Sequence, residues 1–172
     1  VDKLTDSGYE STNAGFSLGT AFEQYDDLFF KPTFSTTYED LITNSSASAN
    51  LKKQKGTYFT TEIGYTLDYD KRNQKFQTTD GFQSKFLQRI PLISESNTLH
   101  NGYQLDTYYS FDNITTSLGL YLRAATGLSD DVRISERLNL PRKRLRGFEA
   151  GRIGPVDSDD HVGGNYAASL NF

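Results

Sequence analysis

The feature that most constrains the fold of this chain is a repeated alternation of apolar and polar side chains. Seven runs alternate with a period of two residues, and most of them extend over about 9–12 residues. A period of two is typical of β-strands, because successive side chains point to opposite faces of a sheet. The runs lie at 14–22, 30–39, 58–70, 82–90, 103–111, 117–124 and 165–172. We therefore predict an all-β protein, an antiparallel meander of about seven long strands.

The length and the two faces of these runs favour a membrane environment. Strands of soluble proteins average about 5–6 residues, whereas about 9–11 residues at a tilt near 45° cross a bilayer. One face carries aromatic and aliphatic side chains, and the other carries Gly, Ser, Thr and isolated charges. This pattern is typical of a transmembrane β-barrel wall whose polar face lines the lumen. The alternative is a soluble, partly open antiparallel sheet.

The composition supports β-structure and argues against several functions. Phe and Tyr number 12 and 11, which argues against disorder. The chain has no Cys and only two His, so we predict no disulfide, no metal site and no cofactor. No set of carboxylates or nucleophiles has the spacing of a catalytic centre, so we predict that the chain is not an enzyme. A net charge of -4 and a pI near 5.2 argue against a nucleic-acid partner.

The connections between the runs are predicted to alternate in length. Short ones lie near 24–28 and 112–115, an intermediate one lies at 71–81, and long ones lie at 41–56, 91–102 and 126–164. Outer-membrane barrels show this alternation, with short periplasmic turns and long outer loops. We therefore predict that 126–164 is a long extracellular loop and that 71–81 is a periplasmic turn. The sequence gives no clear helix signal, and no run of about 18 apolar residues indicates a transmembrane helix.

The predicted outer loop contains a basic cluster followed by an Arg-Gly-Phe sequence. The cluster and the motif consist of Arg142, Lys143, Arg144, Leu145, Arg146, Gly147 and Phe148. Further along are Gly154, Pro155, Asp157, Gly163, Gly164 and Asn165, the last of which opens the final run. At the predicted periplasmic turn, the marked residues are Tyr69, Asp70, Arg72 and Gly81.

This ordered set resembles the BamA family of outer-membrane protein assembly barrels. Leu145-Arg146-Gly147-Phe148 is similar to the loop motif of the family, and the turn is similar to its periplasmic turn, except that Asn73 stands where Asp is frequent and no Pro precedes Thr79. The resemblance implies that residues 1–172 form part of a sixteen-stranded transmembrane barrel domain in the bacterial outer membrane. It also implies POTRA domains and last strands outside this sequence. We expect a piece of a longer polypeptide, since the last run ends on an apolar phase.

The resemblance further implies a function and partners. The expected function is the folding and insertion of β-barrel proteins into the outer membrane. The expected partners are the lipid bilayer with its lipopolysaccharide, unfolded outer-membrane barrel clients, and the Bam lipoproteins that would bind through the POTRA domains. Alternatives are a TamA-like or two-partner secretion barrel, a passive porin or adhesin, and a soluble β-sheet binding module.

Ordering so long a loop costs entropy, so we expect it to have an anchor. Arginine offers a planar fork of five donors, and we predict that Arg146 anchors the loop to acidic groups of the lumen wall. Candidate acids are Glu62, Asp68 and Asp106, and the resemblance implies further ones on strands after Phe172. Gly147 would allow close approach or a positive φ, and Phe148 would fill a gap. The alternative is a solvated basic loop.

The cations before the motif have a separate interpretation. Arg142, Lys143 and Arg144 are either a solvated charge run or contacts for lipopolysaccharide phosphate groups at the outer rim.

The membrane interpretation predicts how the 172-residue chain behaves in solution. We expect it to be insoluble in water but rich in β-structure in detergent micelles, because one face of each strand is apolar. Circular dichroism with and without detergent checks this. A cooperative, monomeric β-protein in plain buffer would contradict it.

Overall fold

Paired strands dominate the structure, which is a computed structural model. It describes residues 8–95, 97–149 and 151–172 in full and residues 2–6 by their backbone. The strands are β1 (Asp2–Asp6), β2 (Tyr9–Gly19), β3 (Phe22–Tyr25), β4 (Leu28–Thr43), β5 (Gly56–Asp70), β6 (Gly81–Ser94), β7 (Thr98–Phe111), β8 (Ile114–Gly127), β9 (Val156–Asp157), β10 (Asp160–His161) and β11 (Tyr166–Asn171). Each of the seven predicted runs overlaps a strand, and β1 is a strand that the alternation did not predict.

Nine of these strands form one antiparallel sheet. Its order is β1-β2-β4-β5-β6-β7-β8-β11, with β3 paired to β4, while β9 and β10 form a separate hairpin. Each strand of the main path pairs with the next long strand along the chain, which is a meander. The predicted all-β, antiparallel fold class is therefore confirmed.

The register of the sheet separates an apolar face from a polar face. One cross-strand row of the apolar face is Phe30, Leu67, Phe86, Tyr103, Leu122 and Ala168. The neighbouring row, on the polar face, is Phe29, Asp68, Lys85, Gln104, Tyr121 and Ser169. Side chains of the apolar face such as Phe16, Leu18 and Leu170 are 58%, 66% and 67% exposed. The described chain therefore leaves this face uncovered.

The connections lie at two ends of the sheet. One, here named the turn end, has the short connections 26–27 and 112–113 and the ordered turn 71–80. The other, here named the loop end, has 44–55, 95–97 and 128–165.

The prediction of a long connection at 91–102 is wrong, and with it the strict alternation of connection lengths. β6 continues to Ser94 and β7 begins at Thr98, so only 95–97 remains. The predicted run stops at Ile90, but the strand continues through Pro91, which lies at a register shift and pairs with Glu62. A bulge interrupts the ladder, so a residue without an N–H is tolerated there.

A small core covers the polar face at the loop end. It consists of Tyr9, Leu41, Ala47, Leu51, Ile134 and Val162. Leu51 belongs to a short helix, α1 (Ala49–Lys53), which the sequence did not signal. The hydroxyl of Ser48 caps this helix by accepting a hydrogen bond from the Leu51 N–H at 3.2 Å. Within the described part of the chain, no helix is long and apolar enough to cross a membrane.

The core at the loop end should contribute measurably to stability. Leu51 is 2% exposed, so Leu51→Ala is expected to lower the free energy of unfolding by about 2–5 kcal/mol through lost burial and a cavity. Denaturant titration of the folded protein in detergent measures this. Leu128→Ala, at a loop position that is 59% exposed, is the control and should change it by less than about 0.5 kcal/mol. Equal effects of both changes would contradict the assignment of this core.

Candidate functional site: two arginines that fix the long loop

The connection 128–165, here named the long loop, folds back onto the polar face. Its first attachment is Arg133, just before a 3₁₀ turn at Ile134–Glu136. The Arg133 Nη2 lies 3.1 Å from Oε2 of Glu39 on β4 and 3.2 Å from Oε1 of Glu136. The guanidinium carbon also lies 3.9 Å from the ring centroid of Tyr58, a cation–π contact. Arg133 is therefore a buried cation with two acidic partners.

The acids that bind Arg133 are fixed by hydroxyl groups. Ser11 on β2 donates to Glu39 Oε1 at 2.6 Å, and Ser135 donates to Glu39 Oε2 at 3.0 Å. Thr98 on β7 donates to Glu136 Oε2 at 2.5 Å. Buried charges are costly unless they are paired and hydrogen-bonded. Arg133 is paired with both acids, but its Nη1 is buried without a hydrogen-bond partner among the described residues.

The second attachment is Arg144, at the end of a 3₁₀ turn over Arg142–Arg144. Its Nη1 and Nη2 donate to Oδ1 and Oδ2 of Asp106 on β7 at 2.9 and 3.2 Å. Asn171 on β11 donates to the Arg144 carbonyl oxygen at 2.9 Å. The side chain of Arg144 is only 9% exposed. A bidentate ion pair of this kind fixes the orientation of the guanidinium as well as its distance from the carboxylate.

A glycine makes room for this pair. Gly119 on β8 lies opposite Asp106, and a Cβ at this position would come within 2.6 Å of Arg144 Nη1 and 2.8 Å of Asp106 Oδ1. Beside the pair is a cleft of about 640 Å³, to which Lys143 and Arg146 also contribute.

The structure changes the assignment of the loop anchor. Arg144, predicted to belong to a solvated or lipopolysaccharide-binding run, is buried and bound to Asp106. Arg146, predicted to be the only anchor, is exposed and forms no ion pair with the residues that the structure describes. The physical reason is local: the 3₁₀ turn after Pro141 directs Arg144 to the wall, and Gly147, with φ +84°, then changes the chain direction. A partner of Arg146 outside residues 1–172 stays a prediction.

The other residues around Arg146 match their predicted roles only in part. A Cβ at Gly147 would meet no atom within 4 Å, so its positive φ, rather than a close approach, explains the glycine. Phe148 is 55% exposed, so its predicted gap-filling role is not seen among the described residues. Arg142 and Lys143 are exposed, as a solvated or lipid-contacting role requires.

The residues after the motif attach the β9–β10 hairpin to α1. Asp157 accepts hydrogen bonds from Ser48 Oγ at 2.7 Å and Asn50 Nδ2 at 3.2 Å, and Asp160 accepts one from the Ser48 N–H at 3.0 Å. The Pro155 carbonyl closes the hairpin by accepting from the Val162 N–H.

The glycines and the asparagine near the last strand have backbone roles. Gly154 and Gly163 have positive φ values of 135° and 65°. Gly164 forms a bridge with Leu138, and the Asn165 carbonyl accepts from the Ala125 N–H at 2.8 Å.

The residues marked at the predicted periplasmic turn lie close together at the turn end of the sheet. Arg72 Nε and Nη2 each donate to one oxygen of Asp70 at 2.8 Å, and this contact raises the pKa of Arg72. Tyr69 packs edge-on against Phe82 with ring centroids 5.6 Å apart. Gly81 has φ +95°, and a Cβ there would meet the Lys71 carbonyl oxygen. These residues shape a turn.

Catalytic geometry is not evident in the part of the chain that the structure describes. Within it, no group of three or more His, Cys, Asp or Glu side chains is arranged to hold a metal ion. The charged residues of the polar face instead fix a loop to a sheet.

A long-stranded sheet with an uncovered apolar face and a loop fixed to its polar face defines a segment of a β-barrel wall with a lumen-side loop. The family model described as the Omp85 superfamily domain matches residues 2–172, so the chain belongs to the Omp85 superfamily.

The comparison with solved structures agrees with this fold. The crystal structure of BamA from Haemophilus ducreyi lacking POTRA domains 1-3 superposes with a TM-score of 0.74 at 17% sequence identity. The match covers 94% of this chain but 36% of that chain, so the present sequence spans about a third of that structure. The predicted resemblance to the BamA-type barrel is thereby confirmed. The comparison with curated protein sequences gives no match.

The pair of Arg144 and Asp106 should contribute to stability as a unit. Arg144→Ala is expected to lower the free energy of unfolding by about 3 kcal/mol, because it leaves a buried carboxylate without its cation. Asp106→Asn should cost a similar amount, and the double change less than the sum of the two. Denaturant titration of all three variants in detergent measures this coupling.

The matched control is Arg146→Ala, which removes an exposed arginine two residues further along the same loop. It should change the free energy of unfolding by less than about 0.5 kcal/mol. A larger effect of Arg146→Ala than of Arg144→Ala would overturn the assignment of the anchor.

Proposed function

We propose that this chain is part of an outer-membrane barrel that folds β-barrel proteins and inserts them into the bacterial outer membrane. The observation that carries the proposal is the fixation of the Arg-Gly-Phe loop to the polar face through Arg144 and Asp106, at 2.9 and 3.2 Å. Membership in the Omp85 superfamily and the likeness to a BamA barrel support it.

The two faces of the sheet fit such a location. The uncovered apolar face suits the hydrocarbon of a bilayer, and strand pairing satisfies the backbone polar groups there. The polar face then faces the lumen, with the loop end outside and the turn end in the periplasm. In this proposal, the strands that complete the barrel lie outside this sequence. The POTRA domains, which bind the Bam lipoproteins, also lie outside it.

The fixed loop favours an assembly barrel over a wide passive pore. A pore needs a clear lumen, whereas the long loop is attached to the lumen side at Arg133 and at Arg144. Buried ion pairs at both points make a spontaneously open channel costly. The barrel acts by deforming the membrane locally and by offering strand edges to unfolded clients. It uses neither covalent chemistry nor a cofactor.

The exposed cations have a separate role in this proposal. Arg142 and Lys143 remain available for phosphate groups of lipopolysaccharide at the outer rim. Arg144 is withdrawn from that surface, because its guanidinium is bound to Asp106.

The second candidate function is a TamA-like or two-partner secretion barrel. It has the same superfamily assignment in its favour. It requires the long loop to leave the polar face so that a client can pass.

Reconstituted full-length protein tests the assembly function. Proteoliposomes that contain it should accelerate the membrane folding of a urea-denatured outer-membrane barrel protein, followed by its heat-modifiable shift on a gel. Arg144→Ala should slow this folding at least ten-fold, because the expected loss of about 3 kcal/mol exceeds the roughly 1.4 kcal/mol that changes a population by that factor. Lys143→Ala, at the exposed neighbouring position, is the control and should leave the rate unchanged in liposomes that contain no lipopolysaccharide.

Two results would contradict the assembly proposal. Transfer of an added client into the vesicle interior, where it becomes protected from protease, would indicate a secretion barrel. Rapid swelling of the liposomes in sugar solutions, with no effect on client folding, would indicate a passive pore.

A further inference from the structure

Three cations from alternate strands of the meander come together on the polar face, towards the turn end. Lys31 on β4 and Arg123 on β8 lie in one cross-strand row, and Lys85 on β6 lies in the next row of the same face. The Nζ atoms of Lys31 and Lys85 lie 2.6 and 4.0 Å from the same oxygen, Oδ2 of Asp68 on β5. These four residues are here named the basic cluster.

The basic cluster carries more positive than negative charge. Three cations and the single carboxylate of Asp68 leave a net formal charge of +2. The side chain of Asp68 is 6% exposed, whereas those of Lys31 and Lys85 are 38% and 36% exposed. A solute in the cleft beside the cluster therefore meets the ammonium groups rather than the carboxylate.

The acids nearest to the cluster along the strands do not offset this charge, because each has a cation of its own. The pairs are Asp70 with Arg72, Asp106 with Arg144, and Glu62 with Arg89, at N–O distances of 2.8, 2.9 and 3.4 Å. The excess positive charge is therefore local to the basic cluster, and a concave site focuses such a field on an anion.

A glycine fixes the position of Arg123 in the cluster. Gly102 on β7 lies opposite Arg123, and a Cβ at Gly102 would come within 2.7 Å of Arg123 Cζ and would clash with Nη1. The guanidinium therefore lies over the backbone of β7, between its own strand and β6. Its described contact is the ring of Tyr121, at 5.4 Å, and it has no acidic partner among the residues that the structure describes.

The basic cluster lines a cleft of about 230 Å³. Thr66 on β5 and Gln104 on β7 also line it. Within the described part of the chain the Thr66 hydroxyl has no hydrogen-bond partner, so a neutral donor remains beside the cations. The cleft is smaller than the sites of drug-sized ligands, which measure about 300–1,000 Å³, and suits a small anion.

We propose that this cleft binds a phosphate dianion, either free phosphate or a phosphate monoester, through Lys31, Lys85 and Arg123. The net charge of +2 balances the two negative charges of the ligand. The guanidinium fork donates to two phosphate oxygens, and the ammonium groups act as point charges beside the others. The bound ligand joins β4, β6 and β8 towards the turn end. The site requires only that the polar face meets water, so it does not rest on the assembly activity.

Calorimetric titration of the full-length protein in a nonionic detergent tests this site. The probes are inorganic phosphate, glycerol 3-phosphate, dimethyl phosphate and chloride. The pH is about 7.5, where a phosphate monoester with a second pKa near 6 is a dianion. Dimethyl phosphate is a phosphodiester like the headgroup linkage of a lipid, and it carries one charge only. All titrations are made at the same ionic strength, because salt screens exposed charges.

We expect saturable binding of the two dianions with a Kd of about 1 mM or lower, and binding of dimethyl phosphate that is at least about ten-fold weaker. Tighter binding of glycerol 3-phosphate than of phosphate would identify an organic monoester as the ligand. The reverse order would identify the free ion.

Substitutions test the residues of the site. Lys85→Ala should weaken phosphate binding about ten-fold, the factor for one hydrogen bond to a charged group. Gly102→Ala should have a similar effect without any change of charge, because it displaces the Arg123 guanidinium. Arg123→Gln tests the same group if Gly102→Ala does not fold. The control is Lys55→Ala, which removes an exposed cation at the loop end and should leave the Kd unchanged.

Several results would overturn the phosphate site. Phosphate that does not saturate the protein at about 10 mM, or that binds no better than chloride, would indicate diffuse attraction of counterions. Equal effects of Lys55→Ala and Lys85→Ala would indicate the same. Binding of a short polyglutamate peptide without binding of phosphate would show that the cluster receives an acidic protein segment instead. None of these results affects the assembly proposal, which is tested by client folding.

Discussion

Continuous pairing of the long strands in one register is the constraint on which the rest of this structure depends. Because side chains alternate with a period of two, a slip of one residue would exchange the two faces of a strand. The register instead aligns Phe30 with Leu67 and Phe86, and one position away aligns Phe29 with Asp68 and Lys85. The apolar face, the polar face and every contact between loop and wall follow from this alignment.

The polar face shows how a sheet of this kind can hold a long connection. Arginine and carboxylate side chains on such a face lose water when a loop covers them, and the cost is offset only when they are paired and hydrogen-bonded. Arg133 and Arg144 each have acidic partners, and the partners of Arg133 are held by three hydroxyl groups. The charges therefore specify where the loop lies, while the small core around Leu41 and Leu51 supplies burial at the loop end.

The strands were predictable from sequence, but the contacts of the loop were only partly so. Alternation located all seven runs, because it is a local property of each strand. The outer end of β6 was missed, because the bulge that tolerates Pro91 depends on the neighbouring strand and cannot be predicted from β6 alone. Asp106 was a candidate wall acid, yet the choice of Arg144 over Arg146 depends on a 3₁₀ turn and on Gly147. The contact of Ser48 with Asp160 joins residues that are 112 positions apart, and no sequence motif predicts it.

The separation of the two attachment points gives the long loop a mechanical role. Arg133 binds Glu39 on β4, while Glu136 and Arg144 bind Thr98 and Asp106, both on β7. These strands are not neighbours, because β5 and β6 lie between them. The loop therefore connects β4 with β7 across the wall. Flattening the sheet, or separating β5 from β6, would strain or break the buried ion pairs as well as the hydrogen bonds between the strands. Bending of a barrel with this wall is thus directed away from β4–β7 and towards strands that no loop ties together.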